Sequence, residues 1–381
     1  MKDRRLRLVV QGWRFLPHSY ALVAQSHCLC LARRADIDLR FADLPFYDAA
    51  WKTARGIFAP ADEAILGSLR PPEDAFAAEA TFTLRPEQPD FTAPRTGKRF
   101  AFATAEYRVL GARSTGGLVS VAQLPQSVHV VTPSRWAAVA YERFGFSSER
   151  IHIVPHGIDP SVFRPNEASR RVMRASLGVG EAFLYASAGA MTWNKGLDLL
   201  LTAFARVLET DPQARLLLKG ADALYPSREM VSEVLNDLPA RARAAVSERL
   251  IYEGRTFSAK VMAELLRAAD CYVTPYRAEG FNMPVLEAMA CGVPVLCTAG
   301  GPTDDFTDPS FAGRIRSRLQ RKRIADDDGE ALEPDLDHLV TLMRDAAGGD
   351  GRARGALGAA HAHARFTWEA VTETLHAGFV A

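Results

Sequence analysis

The chain has 381 residues, 48% apolar and 24% charged, with 46 Lys and Arg against 45 Asp and Glu. That length exceeds what one hydrophobic core usually organises, so two domains are expected, and the composition excludes a disordered or fibrous chain. The even charge balance excludes a global basic field for nucleic acid or an anionic bilayer, so any phosphate binding must be local.

Lys2, Arg4, Arg5 and Arg7 form a solvated basic flank that allows at most peripheral membrane association. The apolar run that follows, 6–10, is too short for a signal peptide. No apolar stretch approaches the ~18 residues of a membrane-spanning helix. The five cysteines, at 28, 30, 271, 291 and 297, are odd in number and lack framework spacing, so they are expected to be reduced, in a cytoplasmic protein. Cys28 and Cys30 have no second Cys or His cluster, and no zinc site is expected.

In chain order, strands are predicted at 6–10, 37–41, 99–103 and 128–132, with helices at 19–34, N-capped by Ser19, and at 134–144. Prolines at 71, 72, 86, 89 and 94 predict an irregular excursion over 70–98 with no helix or central strand. A strand at 151–155 leads into His156-Gly157-Ile158-Asp159-Pro160, a hinge-like turn. A second series follows, with strands at 183–187, 214–219, 250–252, 271–274 and 293–297 and helices at 197–209, 258–268 and 284–291. This alternation predicts two doubly wound α/β domains around parallel sheets. The charge reversal from Arg316, Arg318, Arg321, Lys322 and Arg323 to Asp326, Asp327 and Asp328 predicts a surface loop. A Gly-rich segment, 348–358, precedes an amphipathic helix at 367–376, free to fold back across the hinge.

The chemistry concentrates in Tyr276-Arg277-Ala278-Glu279-Gly280-Phe281-Asn282-Met283-Pro284-Val285-Leu286-Glu287, directly after a predicted strand. Pro284 suits a first helical position, where its missing N–H costs nothing. The backbone around Gly280, Phe281, Asn282 and Met283 then forms a helix N-terminus, which carries roughly half a positive charge and can hold a diphosphate without lysine. Glu279 before it and Glu287 just inside it supply one carboxylate for sugar hydroxyls and one for ribose hydroxyls. Taken alone, two such glutamates are more often a solvated loop residue and a helix-dipole partner than ligand-binding groups. Their position at the carboxyl end of a strand favours a ligand site.

Glu279, seven residues and Glu287, followed by Ala288-Met289-Ala290-Cys291-Gly292-Val293-Pro294-Val295, resemble the signature of the retaining glycosyltransferases of sequence family four. Gly189-Ala190-Met191-Thr192-Trp193-Asn194-Lys195-Gly196 resembles the family's loop in which a lysine reaches the donor phosphates. Pro155-His156-Gly157-Ile158-Asp159 resembles the segment that opens the nucleotide domain. The resemblance is close over roughly 128–305 and loose over the N-terminal third. It implies the GT-B fold: a Rossmann-like acceptor-side domain at 1–155, a Rossmann-like nucleotide-sugar domain at 156–365 and a C-terminal helix at 366–381, the two domains facing across a cleft. It also implies a nucleotide-diphosphate sugar donor, an unidentified acceptor and retention of configuration.

Two positions depart from the family pattern. Ala190 stands where an arginine usually shares the phosphate charge, and Arg277 is the candidate substitute. The first loop, Gln11-Gly12-Trp13-Arg14-Phe15, offers one glycine, Gly12, as its candidate donor contact. His18 and Glu106, after the first and third predicted strands, are candidate acceptor-side and reaction-centre groups, while Lys195 and Arg277 are candidates for the donor phosphates and Glu279 for the transferring sugar. Gly189 joins Gly280, Phe281, Asn282, Met283 and Glu287 in donor binding. No Asp-x-Asp pair stands at a strand end, so neither metal nor organic cofactor is expected. Alternative readings are an epimerase or hydrolase on the same fold and a catalytically silent nucleotide-sugar binder. A dinucleotide oxidoreductase is disfavoured, since no Gly-x-Gly-x-x-Gly follows Val10.

Overall fold

The computed structural model describes residues 5–86, 88–111, 115–118, 120–324, 327–349 and 351–381. Lys2, Arg4 and Asp326 therefore lie outside the described residues. The chain forms two compact units. Unit 1 comprises Met1–Gly157, Lys322–Gly329 and Trp368–Ala381, and unit 2 comprises Ile158–Arg321 and Glu330–Thr367.

Unit 1 runs β1 (Leu6–Gly12), α1 (Ser19–Ala32), β2 (Ile37–Asp43), α2 (Pro60–Ser68), β3 (Ala80–Leu84), β4 (Lys98–Phe102), β5 (Val128–Thr132), α3 (Arg135–Phe144) and β6 (Ile151–Ile153). The strands make a parallel sheet in the order β2-β1-β3-β4-β5-β6. Its centre is fully buried around Val10, Phe41, Phe82 and Phe100, as expected of a parallel sheet covered on both faces.

β3 corrects the expectation of an irregular excursion over 70–98. Its five residues contain no proline, alternate Thr with Phe and Leu, and are all buried. Prolines 71, 72, 86, 89 and 94 flank the strand without removing any ladder donor from it. α1 is capped by His18 rather than Ser19, with His18 Nδ1 accepting from the Tyr20 N–H at 3.2 Å.

Unit 2 runs α4 (Glu167–Leu177), β7 (Leu184–Ala188), α5 (Leu197–Leu208), β8 (Arg215–Lys219), α6 (Ser227–Asp237), α7 (Ala240–Arg249), β9 (Leu250–Glu253), α8 (Ala259–Ala268), β10 (Cys271–Thr274), α9 (Met283–Ala290), β11 (Val295–Thr298) and β12 (Ala312–Ile315). A hairpin, β13 (Ser317–Ile324) and β14 (Asp327–Pro334), follows, then α10 (Leu336–Gly348) and α11 (Gly351–Arg365). The second sheet, again parallel, has the order β12-β11-β10-β7-β8-β9. The chain leaves β7 toward β8 on one side and returns to β10 on the other, so the order reverses between β7 and β10.

One further expectation is overturned here. The charged 316–330 segment is a hairpin rather than a loop. It sets a basic strand against an acidic one, the arrangement opposite charges favour across a ladder. The Gly-rich 348–358 segment is largely the first half of α11. A Cβ on Gly355 would lie 2.1 Å from the Gly292 carbonyl oxygen, so glycine is kept despite its helix cost because it lets α11 approach the end of α9.

The last helix, α12 (Trp368–Val380), belongs to unit 1 and packs on α1. Thr372 Oγ1 lies 2.8 Å from His27 Nδ1, and Phe379 packs against Phe82 and Phe100. All five cysteines are free thiols. Among the described residues no helix is long and apolar enough to cross a membrane.

Candidate functional site

In an open α/β sheet the crevice for a ligand lies outside the carboxyl ends of the strands where their order reverses. In unit 2 that place is shared by the loop after β7, 189–196, and the loop after β10, 275–282. The two loops are fastened together. The Arg277 N–H donates to the Asn194 carbonyl at 2.7 Å, and Asn194 Nδ2 donates back to the Ala278 carbonyl at 3.2 Å. Across this clasp Lys195 Nζ lies 2.6 Å from Glu279 Oε1.

A glycine allows that approach. Gly196 has a left-handed φ of 71°, and a Cβ there would sit 2.0 Å from the Pro275 carbonyl oxygen. Gly189, at φ 154°, lies beside the Lys195 stem, whose Cγ would be 3.8 Å from an added Cβ. The second loop is also anchored from below. Tyr276 is fully buried, donates from its hydroxyl to the Thr298 carbonyl at 3.0 Å, and receives the Thr298 hydroxyl on its own carbonyl at 2.8 Å.

α9 begins at Met283, one residue before the expected Pro284. Asn282 precedes it at φ 72°, a left-handed conformation asparagine tolerates, with Nδ2 donating to Thr274 Oγ1 at 3.2 Å. Gly280, Phe281, Asn282 and Met283 thus form the turn into the helix N-terminus, and Phe281 stacks on Phe306. Glu279 and Glu287 flank this turn, and both carboxyl groups neighbour the buried Tyr272. Glu279 is 7% exposed. Burial pushes the Glu287 carboxyl up to about 8, because a low-dielectric surrounding disfavours its charged form.

Arg277 is the candidate substitute for the missing arginine at 190. It is 5% exposed, bidentate to Asp198 at 2.7 and 2.8 Å, and within 3.2 Å of Glu333, with its guanidinium over the Trp193 ring. Its fork is taken by two carboxylates, which makes it a brace for the 193–198 turn. Gly12, the candidate donor contact of the first loop, closes β1. It is buried at the end of β1 against Ala24 and Leu84.

In unit 1, His18 and Glu106 follow β1 and β4, and both neighbour Tyr20. The His18 ring lies 5.8 Å from the Tyr20 ring, and Glu106 is a charged neighbour of its hydroxyl. Burial lowers His18 to about 4, which keeps its imidazole neutral. Glu106 is half-buried, and its carbonyl accepts from Trp136 Nε1 at 2.8 Å. The structure thus gathers Lys195, Gly189, Glu279, Glu287 and the α9 turn in unit 2, and His18 with Glu106 in unit 1. Sequence reasoning missed Asn194, the clasp between the loops, although its place beside Lys195 in a turn was a visible signal. Among the described residues no group of three or more His, Cys, Asp or Glu side chains is placed to hold a metal ion.

Residues 182–315 match the family model described as "Glycosyl transferases group 1". The chain is 32% identical over 165 residues to mannosylfructose-phosphate synthase of Agrobacterium fabrum, covering 43% of this chain and 36% of that protein. It is 30% identical over 236 residues to D-inositol 3-phosphate glycosyltransferase of Mycobacterium tuberculosis, covering 62% and 44%. The chain thus spans less than half the length of either relative. Over nearly the whole chain the fold is similar to that of sucrose-phosphate synthase from Thermosynechococcus elongatus, with TM-score 0.66, 17% identity and 98% of both chains covered. It is also similar to Anabaena HepE, solved in complex with UDP-glucose, with TM-score 0.67, 15% identity and coverage of 97% and 98%. The fold is that of the GT-B glycosyltransferases, with two Rossmann-like doubly wound units.

Proposed function

We propose that the chain transfers a hexose-type sugar from a nucleotide-diphosphate donor to an acceptor hydroxyl with retention of configuration. The observation that carries this reading is the Lys195–Glu279 pair, 2.6 Å apart across the β7–β10 switch point beside the start of α9. A cation and a helix N-terminus at one crevice make a diphosphate site. The neighbouring carboxylates suit hydroxyl-rich groups. The match of 182–315 to group 1 glycosyl transferases, and the UDP-glucose bound by a protein of the same fold, support the choice of donor class.

In this mechanism the donor phosphate displaces Glu279 from Lys195. Glu279 then accepts hydrogen bonds from hydroxyls of the transferring sugar, and Glu287 takes the ribose. The bond from the anomeric carbon to the phosphate oxygen breaks through an oxocarbenium-like state while negative charge grows on the phosphate. Lys195 and the N–H groups of the α9 turn stabilise that charge, a contribution worth ~100-fold in rate per donor in comparable sites. The acceptor oxygen bonds to the same face of the sugar, and its proton passes to the departing phosphate oxygen. We assign His18 and Glu106 to the acceptor side, and no metal to the chemistry. The five free cysteines suit a reducing, cytoplasmic compartment.

A thermal-shift panel with UDP, GDP, ADP and CMP tests the donor site. One nucleotide at 100 times its dissociation constant should add about 2.7 kcal/mol of stability. Transfer from the corresponding sugar nucleotide should survive EDTA. A panel in which no nucleotide stands apart overturns the reading, and activity lost to EDTA and restored by manganese overturns its metal-free mechanism.

A further inference from the structure

Three phenylalanines of unit 2 lead away from the donor turn, and the chemistry above uses none of them. The Phe281 ring stacks on Phe306, with ring centres 4.6 Å apart and planes 26° from parallel. Phe366 meets Phe306 edge-on at 6.0 Å. All three are buried.

The backbone of the turn gives this stack a task. Asn282 holds a left-handed φ of 72°, a conformation that a residue other than glycine keeps only where its surroundings enforce it. Its own side chain supplies one restraint through Thr274. The stack on the preceding residue supplies a second, and Phe306 is itself fixed to the same loop. It follows a single helical turn, Pro302–Asp305, with its N–H donating to the Thr303 carbonyl at 3.2 Å. Thr303 Oγ1 lies 2.8 Å from the Tyr276 hydroxyl. The 302–306 segment therefore grips the 275–282 loop twice, at Tyr276 through hydroxyls and at Phe281 through a ring. An offset stack prefers particular geometries, so it fixes the plane of Phe281 and with it the course of the backbone that follows.

Beyond Phe306 the contacts reach the ends of unit 2. The Phe366 carbonyl accepts from the Ile158 N–H at 2.8 Å, and Ile158 forms a parallel bridge with Thr367. His363 Nε2 lies 2.9 Å from the Phe163 carbonyl. The chain passes from unit 1 into unit 2 before Ile158 and leaves it again after Thr367, so the segments tied together here are the ones that enter and leave the unit. Close-packed rings transmit a displacement rather than absorb it.

We infer that Phe306 is a positioning residue for the diphosphate-binding turn, and that through Phe366 it couples nucleotide binding at that turn to the paired segments 158–163 and 363–367. The inference rests on the nucleotide-sugar reading above.

The test is hydrogen exchange of the full chain, read by mass spectrometry with UDP, GDP, ADP and CMP added in turn. The nucleotide that binds should slow exchange at 281–286 and also at 158–163 and 363–367. Phe366→Leu should keep the slowing at 281–286 and lose most of it at the two distant segments. Phe306→Leu should lose the distant slowing and also weaken that nucleotide at least about fivefold, the lower end of ordinary couplings between sites. Val246→Ala, at a fully buried position on α7, should lower stability through lost packing and move neither readout. Slowing at 281–286 without slowing at 158–163 and 363–367 in the wild-type chain overturns the inference, and that result needs no variant to fold. An unchanged response in both leucine variants overturns it too, as does loss of the distant response in Val246→Ala, which would reduce Phe306 to core packing. If no nucleotide slows exchange at 281–286, the donor reading falls and the inference falls with it.

Discussion

The Lys195 ammonium lies 2.6 Å from Glu279 Oε1, although the two residues sit 84 positions apart on loops after different strands. The contact depends on Gly196, which lets the first loop pass under Pro275, and on Asn194, which clasps the second loop. Lys195 is thus held at the switch point by a carboxylate.

Removing the lysine should separate its two tasks. Lys195→Met should lower kcat/KM by at least ~100-fold, equivalent to about 2.7 kcal/mol. It should also lower stability, because Glu279 would remain a buried carboxylate without its cation. Glu279→Gln should mainly lower turnover. The double variant should regain stability toward that of Glu279→Gln alone and regain no transfer. Near-normal transfer by Lys195→Met, in steady-state assays with the matched donor, would remove the lysine from the mechanism.

Arg277 should behave differently from a phosphate ligand. Its partners Asp198 and Glu333 are each over a third exposed and can be rehydrated, so Arg277→Met should cost a modest ~1–2 kcal/mol by chemical denaturation. Transfer should fall through looser positioning of the 193–198 turn. Adding an arginine by Ala190→Arg should not rescue it, because the Asp198 and Glu333 contacts would still be missing. Full rescue would show that Arg277 supplies charge to the donor after all.

The site was more legible than its supports. Gly280 and Pro284, read with the strand before them, located the start of α9 to within one residue, because punctuation by glycine and proline is local. Lys195 was singled out by the resemblance of 189–196 to the family's phosphate loop, and the fold sets it beside Glu279. Arg277's true partners lie 79 and 56 positions away, and no local pattern announces them. β3 was hidden by the prolines that flank it. α11 was hidden by glycines whose reason is the approach to Gly292, a tertiary contact that overrides helix propensity.

Gly196→Ala should be among the most damaging single-methyl changes in unit 2. The left-handed φ of 71° disfavours a side chain, and the added Cβ would lie 2.0 Å from the Pro275 carbonyl oxygen, a backbone atom that cannot swing away. The two loops must separate, and Lys195 moves with the first of them. Transfer should fall by at least ~100-fold with a loss of ~2 kcal/mol or more in stability, the range for strained backbone positions. Wild-type activity in Gly196→Ala would show that the loop contact is dispensable.

Glu287 should give the protein a pH signature of its own. Burial raises its folded-state pKa to about 8 from the ordinary 4.5, so between those values the folded chain keeps a proton that the unfolded chain has released. Stability rises with pH only where the unfolded state binds more protons, and here the folded state does. The contribution is therefore fully present below about pH 4.5 and is lost as pH rises through about 8. Glu287→Gln, which mimics the protonated acid, should flatten that decline in urea unfolding curves taken at pH 5, 6.5, 8 and 9. The same neutrality governs binding. Near pH 6.5 the side chain meets ribose as a neutral acid, so the glutamine variant should weaken nucleotide only a few-fold, and the gap should change above pH 8 as the wild-type carboxylate ionises. Parallel stability profiles for the two proteins across this range would mean that Glu287 is ionised throughout and that water reaches it more fully than its enclosure implies.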